Sequence, residues 1–282
     1  MNIQFSRILD APSLTASRAG GSSFYFAMRI LAREQREAMF EIYSFCRAVD
    51  DIADSEAARP LRLERLAAWR HDIEAIYAGA VPRGLESLAR AVSRFGLRKQ
   101  DFFDVVAGME MDARADICAP SLAELELYCD RVACAVGRLS VRVFGMDEQD
   151  GIKLAHHLGR ALQLTNILRD LDEDAAISRL YLPQEALRGA GIDCNDPVAV
   201  AADPRVDTAC RFIAARAREH FAEAEKIMSR SPRRLVRAPK IMGEVYRQML
   251  ADMTARGWSP PRDRVHINKS HLVWIALRHA FI

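Results

Sequence analysis

Two groups of carboxylates recur at helical spacing in this chain, each beside an arginine that could grip a phosphate. The first lies in IYSFCRAVDDIADS, residues 42–55. Tyr43, Arg47, Asp50 and Asp54 advance by four, three and four, so on a helix they form one stripe. The apolar run Ala38–Cys46 leading into it indicates a helix mostly buried in a bundle. Carboxylates at that spacing repel and raise each other's pKa unless a cation sits between them. Mg2+ takes oxygen ligands and shares them with phosphates. Alone, this stripe reads equally well as the charged end of a surface helix.

The second group lies in LGRALQLTNILRDLDEDA, residues 158–175. Gln163, Asn166, Asp170 and Asp174 advance by three, four and four, while Leu162, Leu164, Ile167, Leu168 and Leu171 cover the other faces. A polar stripe on so apolar a helix requires partners, and Arg169 beside it has the fork geometry for phosphate. Facing each other across a bundle, the two stripes would hold several Mg2+ ions, with Tyr43, Arg47 and Arg169 as further donors. That set suits ionisation of a diphosphate leaving group, the helical walls shielding the carbocation. Two-metal hydrolases usually add histidine, and none of the seven histidines lies in either stripe.

The elements that must position these residues are helices. Apolar residues recur at the helical period, few runs alternate, and β-branched residues do not cluster. Helices are expected at about 22–31, 33–53, 61–78, 85–95, 99–112, 122–144, 147–175, 204–229 and 232–256, with a short last one from Lys269. Pro120-Ser121 with Glu124 signals a helix start. Pro183 closes a short extended piece, Arg179–Leu182, and residues 189–197 form the least regular loop. The expected architecture is one all-α domain, residues 1–282, around a central substrate cavity.

Bulk properties exclude several classes. A net charge of +2 over 282 residues gives no global attraction to nucleic acid. Beyond Arg205, basic residues outnumber acidic ones roughly two to one, which suits an anionic substrate, an anionic membrane surface or simply a solvated face. Six cysteines without a CxxC pair indicate unpaired, mostly buried thiols in a reducing compartment. No segment approaches the ~18 apolar residues of a spanning helix, so the expectation is a cytoplasmic protein, at most peripheral at the inner membrane.

With these motifs in place, the chain resembles the squalene/phytoene synthase family, of the helical isoprenoid synthase fold, from about Ala16 onward. Besides the two acidic motifs, the resemblance rests on RLYLP (179–183) and YCDRVACAVG (128–137), with Cys134 where the family usually has Gly, and on GGSSF (20–24). Asp50-Asp51-Ile-Ala-Asp54 also matches the DDxxD of head-to-tail prenyltransferases; Asn166, Arg169, Asp170 and Asp174 in the second motif separate the two. The resemblance implies that Asp50, Asp54, Asn166, Asp170 and Asp174 bind Mg2+. It implies that Gly20, Gly21, Ser22, Ser23, Phe24, Tyr43, Arg47, Gln163, Arg169 and Tyr246 contact substrate. Tyr128, with Arg47, Asp50, Asp54 and Asp170, would act in catalysis. Phe24, Val132, Val136, Leu139 and Leu162 would line the tunnel for prenyl tails, where plain core packing is an equal reading.

Three segments, GSSFYFAMRIL (21–31), IMGEVYRQMLADMTARGW (241–258) and RVHINKSHLVWIALRH (264–279), are similar to the bacterial presqualene diphosphate-forming members of the hopanoid route. The implied reaction is head-to-head condensation of two farnesyl diphosphates with release of diphosphate. NADPH is not required for that step. Condensation of C20 diphosphates, completion to squalene, or a non-catalytic helical partner protein are the alternatives. Downstream synthases and an oxidoreductase of the same pathway are the expected partners.

Overall fold

The computed structural model describes residues 27–265. Helices α1 (Arg33–Ala53), α2 (Arg59–Tyr77), α3 (Glu86–Phe95) and α4 (Lys99–Arg114) come first. A continuous run follows: α5 (Leu122–Cys129), one π-helical turn (Asp130–Cys134) and α6 (Ala135–Phe144). Next are α7 (Glu148–Arg169), α8 (Leu171–Ala176), the short helices α9 (Gln184–Gly189) and α10 (Pro197–Ala202), and the long α11 (Val206–Arg230) and α12 (Arg233–Arg256). Of the helix expected at about 22–31, the part before Ala27 lies outside the described residues; Ala27 and Met28 are helical and the chain turns at Arg29 and Ile30, short of the expected end. The helix expected from Lys269 lies outside the described residues.

Local chemistry accounts for the boundaries. At the start of α5 the Ser121 hydroxyl accepts from the Glu124 N–H at 3.2 Å, and the Glu124 carboxylate accepts from the Ser121 N–H at 2.7 Å. This reciprocal capping box is the one anticipated from Pro120-Ser121. Gly145, in the left-handed region at φ 77°, ends α6, and the Asp147 side chain caps α7. The extended piece around Leu180 pairs in parallel with Cys118. Leu180 N–H donates to the Ile117 carbonyl and Ala119 N–H to that of Leu180.

Two buried clusters make the core. One gathers apolar faces of α1 to α4 and α6 with Ala238, Ile241, Met242 and Val245 of α12. The other gathers α5, α7 to α11, the end of α12 and the fully buried Trp258. Val132, Leu162 and Tyr246 border both, which places a seam between the clusters. Each acidic motif belongs to a different cluster, so the seam is where the two stripes meet.

Two expected helices are interrupted. Residues 122–144 are helical throughout but contain the π turn, an insertion that hydrophobic periodicity over so short a run does not reveal. Residues 147–175 break at Asp170 (φ −99°, ψ 17°). Neighbouring side chains on a regular helix do not face each other. The break lets Arg169 clasp the carboxylate of Asp170, at 2.7 and 2.5 Å. The irregular loop lies where expected, between Gly189 and Pro197, but it is flanked by two short helices that were not expected, α9 and α10; the Asp196 side chain caps α10 by accepting from Ala199 N–H at 2.7 Å.

Candidate active site

The first stripe occupies the last turns of α1. Arg47 donates to Asp50 at 2.7 Å and also pairs with Asp51, so it is held among carboxylates instead of pointing free. Burial, then the charge of Asp54, pushes the Asp50 carboxyl up to about 6 against the opposing pull of Arg47. Tyr43 sits one turn earlier on the same helix, half-buried.

The second stripe runs from the end of α7 across the break into α8. Asp170 accepts from Arg169 and also from Arg264. Burial, then Asp170, pushes Asp174 up to about 7. Gln163 and Asn166 face inward, and the Asn166 side-chain oxygen is buried with no hydrogen-bond partner.

Arg179 joins the two. Its guanidinium donates to Asp54 at 2.7 Å, and its backbone N–H donates to the Asp174 carbonyl at 2.8 Å. Asp112, on the buried face of α4, lies behind them. Its two carboxylate oxygens accept from Tyr128 at 3.0 Å and Tyr181 at 2.9 Å. The tyrosine rings stack with centroids 5.0 Å apart. Burial raises Asp112 to about 6, opposed by Arg179 and both hydroxyls. Burial, then the Asp112 charge, keeps the Tyr128 phenol protonated by raising its pKa well above the usual value.

Asn166, Gln163 and Tyr246 form the polar end of a cavity of about 230 Å³ in the seam. Val132, Val136, Leu158, Leu162 and Met242 supply part of its apolar wall, and Phe144 lies at its far reach along α6. Asn166 and Leu154 both line it and are twelve residues apart on α7, roughly 18 Å along the helix axis. The arrangement is an apolar pocket whose polar end adjoins the arginines and carboxylates of the second stripe.

Most sequence-derived positions within residues 27–265 converge here. Val132, Val136 and Leu162 line the cavity; Leu139 does not. It is fully buried in the α1–α4/α6 cluster because its side chain points away from the stripe formed by Val132, Val136, Ser140 and Phe144. Gly20, Gly21, Ser22, Ser23 and Phe24 lie outside the described residues. Three residues at the centre had no assigned role: Asp112, Arg179 and Tyr181. Asp112 carried a signal, an acid in register with buried Val105 and Met109 on α4. Arg179 and Tyr181 belong to RLYLP, noted as a motif without a chemical role.

Residues 17–271 match the squalene/phytoene synthase family. The chain belongs to this family. A presqualene diphosphate synthase from Rhodopseudomonas palustris is 55% identical over 271 residues, covering 96% of this chain and 97% of that one. One from Zymomonas mobilis is 50% identical over 275 residues, covering 97% and 94%. A phytoene synthase from Mycobacterium tuberculosis is 33% identical, covering 88% and 81%. The crystal structure of squalene synthase HpnC from Alicyclobacillus acidocaldarius superimposes with a TM-score of 0.79 at 27% identity, covering 88% of this chain and 93% of that one.

The packing around Cys134 is set by the facing helix. A Cβ on Gly159 of α7 would meet Cys134 backbone atoms at 2.9 Å and its sulfur at 3.0 Å. The absence of a side chain at Gly159 therefore leaves room for Cys134, which is fully buried. Among the described residues, no helix is long and apolar enough to cross a membrane.

Proposed function

We propose that this protein condenses two farnesyl diphosphates head to head into presqualene diphosphate. The observation that carries the proposal is the apolar cavity opening at its polar end beside two acidic stripes joined through Arg179. Identity of 50–55% to presqualene diphosphate synthases over nearly the whole chain supports the same product.

The donor set fits Mg2+. Asp50, Asp54, Asn166, Asp170 and Asp174 offer oxygen atoms alone, which is what a hard divalent cation takes. The unpartnered Asn166 oxygen is an acceptor that the protein itself leaves unsatisfied. The pKa values of Asp50 and Asp174 are raised first by burial and then by a neighbouring carboxylate, and a bound cation would favour the charged form of each. When bound, Mg2+ would neutralise charge developing on the departing diphosphate.

The chain's own residues do the rest. Arg47 and Arg169 are positioned to exchange a carboxylate partner for phosphate oxygens. As the C1–O bond of one substrate breaks, diphosphate leaves and an allylic cation remains. The C2–C3 double bond of the second substrate attacks it, and loss of a proton closes the cyclopropane, with the second diphosphate retained. The apolar walls exclude water from the cation. The paired hydroxyls of Tyr128 and Tyr181 on Asp112 provide a relay from the mouth for that proton.

Incubation of the purified chain with farnesyl diphosphate and Mg2+, without NADPH, tests the proposal. The expected result is presqualene diphosphate with one free diphosphate per product. Preference for the C20 diphosphate in direct competition would reassign the substrate. NADPH-dependent formation of squalene would extend the reaction, and no product at all would overturn it.

A further inference from the structure

Three histidines sit together on the side of the bundle away from the cavity lining. His156 and His157 are on α7 and His220 on α11, and one ring nitrogen from each lies within 4.8 Å of the other two. The Nδ1 atoms of His157 and His220 are 3.0 Å apart. Two neutral imidazoles can share that contact through one proton only. Two nitrogens bound to one tetrahedral ion at about 2.0–2.1 Å would stand roughly 3.3 Å apart, close to the observed spacing.

We propose that His156, His157 and His220 form a binding site for a borderline divalent transition metal of the Zn2+ type, distinct from the oxygen-lined mouth. Imidazole nitrogens suit Zn2+, Co2+ and Ni2+ and are poor ligands for Mg2+. Three histidines leave the fourth position of a tetrahedral ion open to water. The site would tie α7 to α11, about 14 Å along α7 from Asn166.

The surroundings are compatible. Burial, foremost, depresses all three imidazole pKa values, that of His220 to about 4, so protons do not compete for the nitrogens at neutral pH. Arg160 is the neighbouring cation, with its Nη1 2.8 Å from His156 Nδ1. It is balanced by Glu126 at 2.7 Å and Asp130 at 3.3 Å, and Glu223 contributes negative charge at His157. Coordination by His156 requires Arg160 to release Nδ1 or the ring to turn. Arg160 keeps its carboxylate partners in either case. His156 is therefore the weakest of the three ligands.

The test uses the untagged full-length chain, stripped with a chelator and titrated with Zn2+ by calorimetry in excess Mg2+. One equivalent is expected to bind. Co2+ in its place is expected to give the intense visible bands of a four-coordinate ion. H157Q and H220Q should each weaken Zn2+ at least about tenfold, and H156Q less. D50N and D170N should leave Zn2+ binding intact. Melting of the chelated variants reports whether they fold. Anomalous scattering at the zinc edge locates the ion in the unaltered protein should a variant fail to fold. No Zn2+ binding, binding undiminished in the H157Q/H220Q double variant, or binding lost in D50N would each overturn the site.

Discussion

The two acidic stripes look alike as strings of residues but are built differently. Asp50 and Asp54 project from an unbroken helix end with side chains 40% and 50% exposed. Asp170 is 21% exposed, lies at a helix break, and is held by Arg169 and Arg264. The first stripe thus spreads two arginines over three carboxylates on a plain scaffold, Arg47 on Asp50 and Asp51 and Arg179 on Asp54. The second concentrates two arginines on Asp170, at the cost of helix continuity. An interchangeable pair of metal-binding motifs would not need that asymmetry. In the proposed site, bound cations would take the larger share of neutralisation at the more exposed first stripe and fixed arginines the larger share at Asp170.

The largest expected effect tests what the stripes share, and its companion tests what separates them. Asp50→Asn and Asp170→Asn should each lower kcat by about 10³-fold, since each removes an anionic ligand worth several kcal/mol of transition-state stabilisation. Without metal, their stabilities should part. Asp50→Asn removes a charge that burial and Asp54 disfavour, so thermal melting should hold or rise. Asp170→Asn takes the carboxylate partner from Arg169, leaves Arg264 with Glu173 alone, and should cost about 1–2 kcal/mol. Equal melting shifts would refute the asymmetry.

Arg179 is where the stripes are coupled, so its removal should blur them. Arg179→Ala leaves Asp112 and Asp54 without their shared cation. Breaking a fully buried pair costs about 3–5 kcal/mol, and the half-exposed Asp54 reduces this to about 1–3 kcal/mol. The activity loss should be partly restored by raised Mg2+. Denaturant melts with and without Mg2+ distinguish this from simple unfolding; an unchanged metal response would place Arg179 outside the site.

Acidity acts on both stripes at once. Asp50, Asp112 and Asp174 have pKa values raised to about 6, 6 and 7, from unfolded values near 4. Groups raised in this way favour the folded state while protonated. Their contribution to metal-free stability should therefore be fully present below about pH 4 and be lost as pH rises through 6 to 7. Added Mg2+ should abolish the decline by pairing with the ionised forms. For the same reason apparent Mg2+ affinity should fall on the order of tenfold between pH 7 and pH 5, with proton release on binding seen by calorimetry in buffers of different ionisation enthalpy. Mg2+ affinity independent of pH over this range would argue against these carboxylates as its ligands.

Spacing made the helices and both stripes legible, because the 3.6-residue period is a local property. It put Arg33–Ala53 on the residues observed and identified the Ser121 cap. The hidden parts are those that depend on partners distant in sequence. Asp112 becomes significant only beside Tyr128 and Tyr181, and Arg179 only because it reaches back to Asp54 across the bundle. Leu139 was assigned to the tunnel by family resemblance, with core packing as an equal reading. Only packing shows which side of α6 it faces. The break at Asp170 answers a side-chain demand that no backbone propensity encodes.

The smallest expected effect isolates the second stripe's private counter-charge. Arg264 follows the buried Trp258, whose indole N–H donates to the Leu168 carbonyl at 3.0 Å, so this segment is pinned against the end of α7. From there Arg264 reaches Asp170 and, at 3.3 Å, Glu173. Arg264 is 41% exposed, and its pairs are screened by solvent, so Arg264→Ala should cost only about 0.5–1 kcal/mol in stability. Asp170 would then carry more uncompensated charge and resemble Asp50. Mg2+ should bind more tightly in this variant, by a few-fold, because it no longer competes with Arg264 for Asp170, and diphosphate release should slow to the extent that the tighter-held metal retains it. If Mg2+ affinity instead fell, Arg264 would be a positioning group for the Asp170 ligand rather than a substitute for the metal, and the division between fixed and exchangeable charge would have to be redrawn.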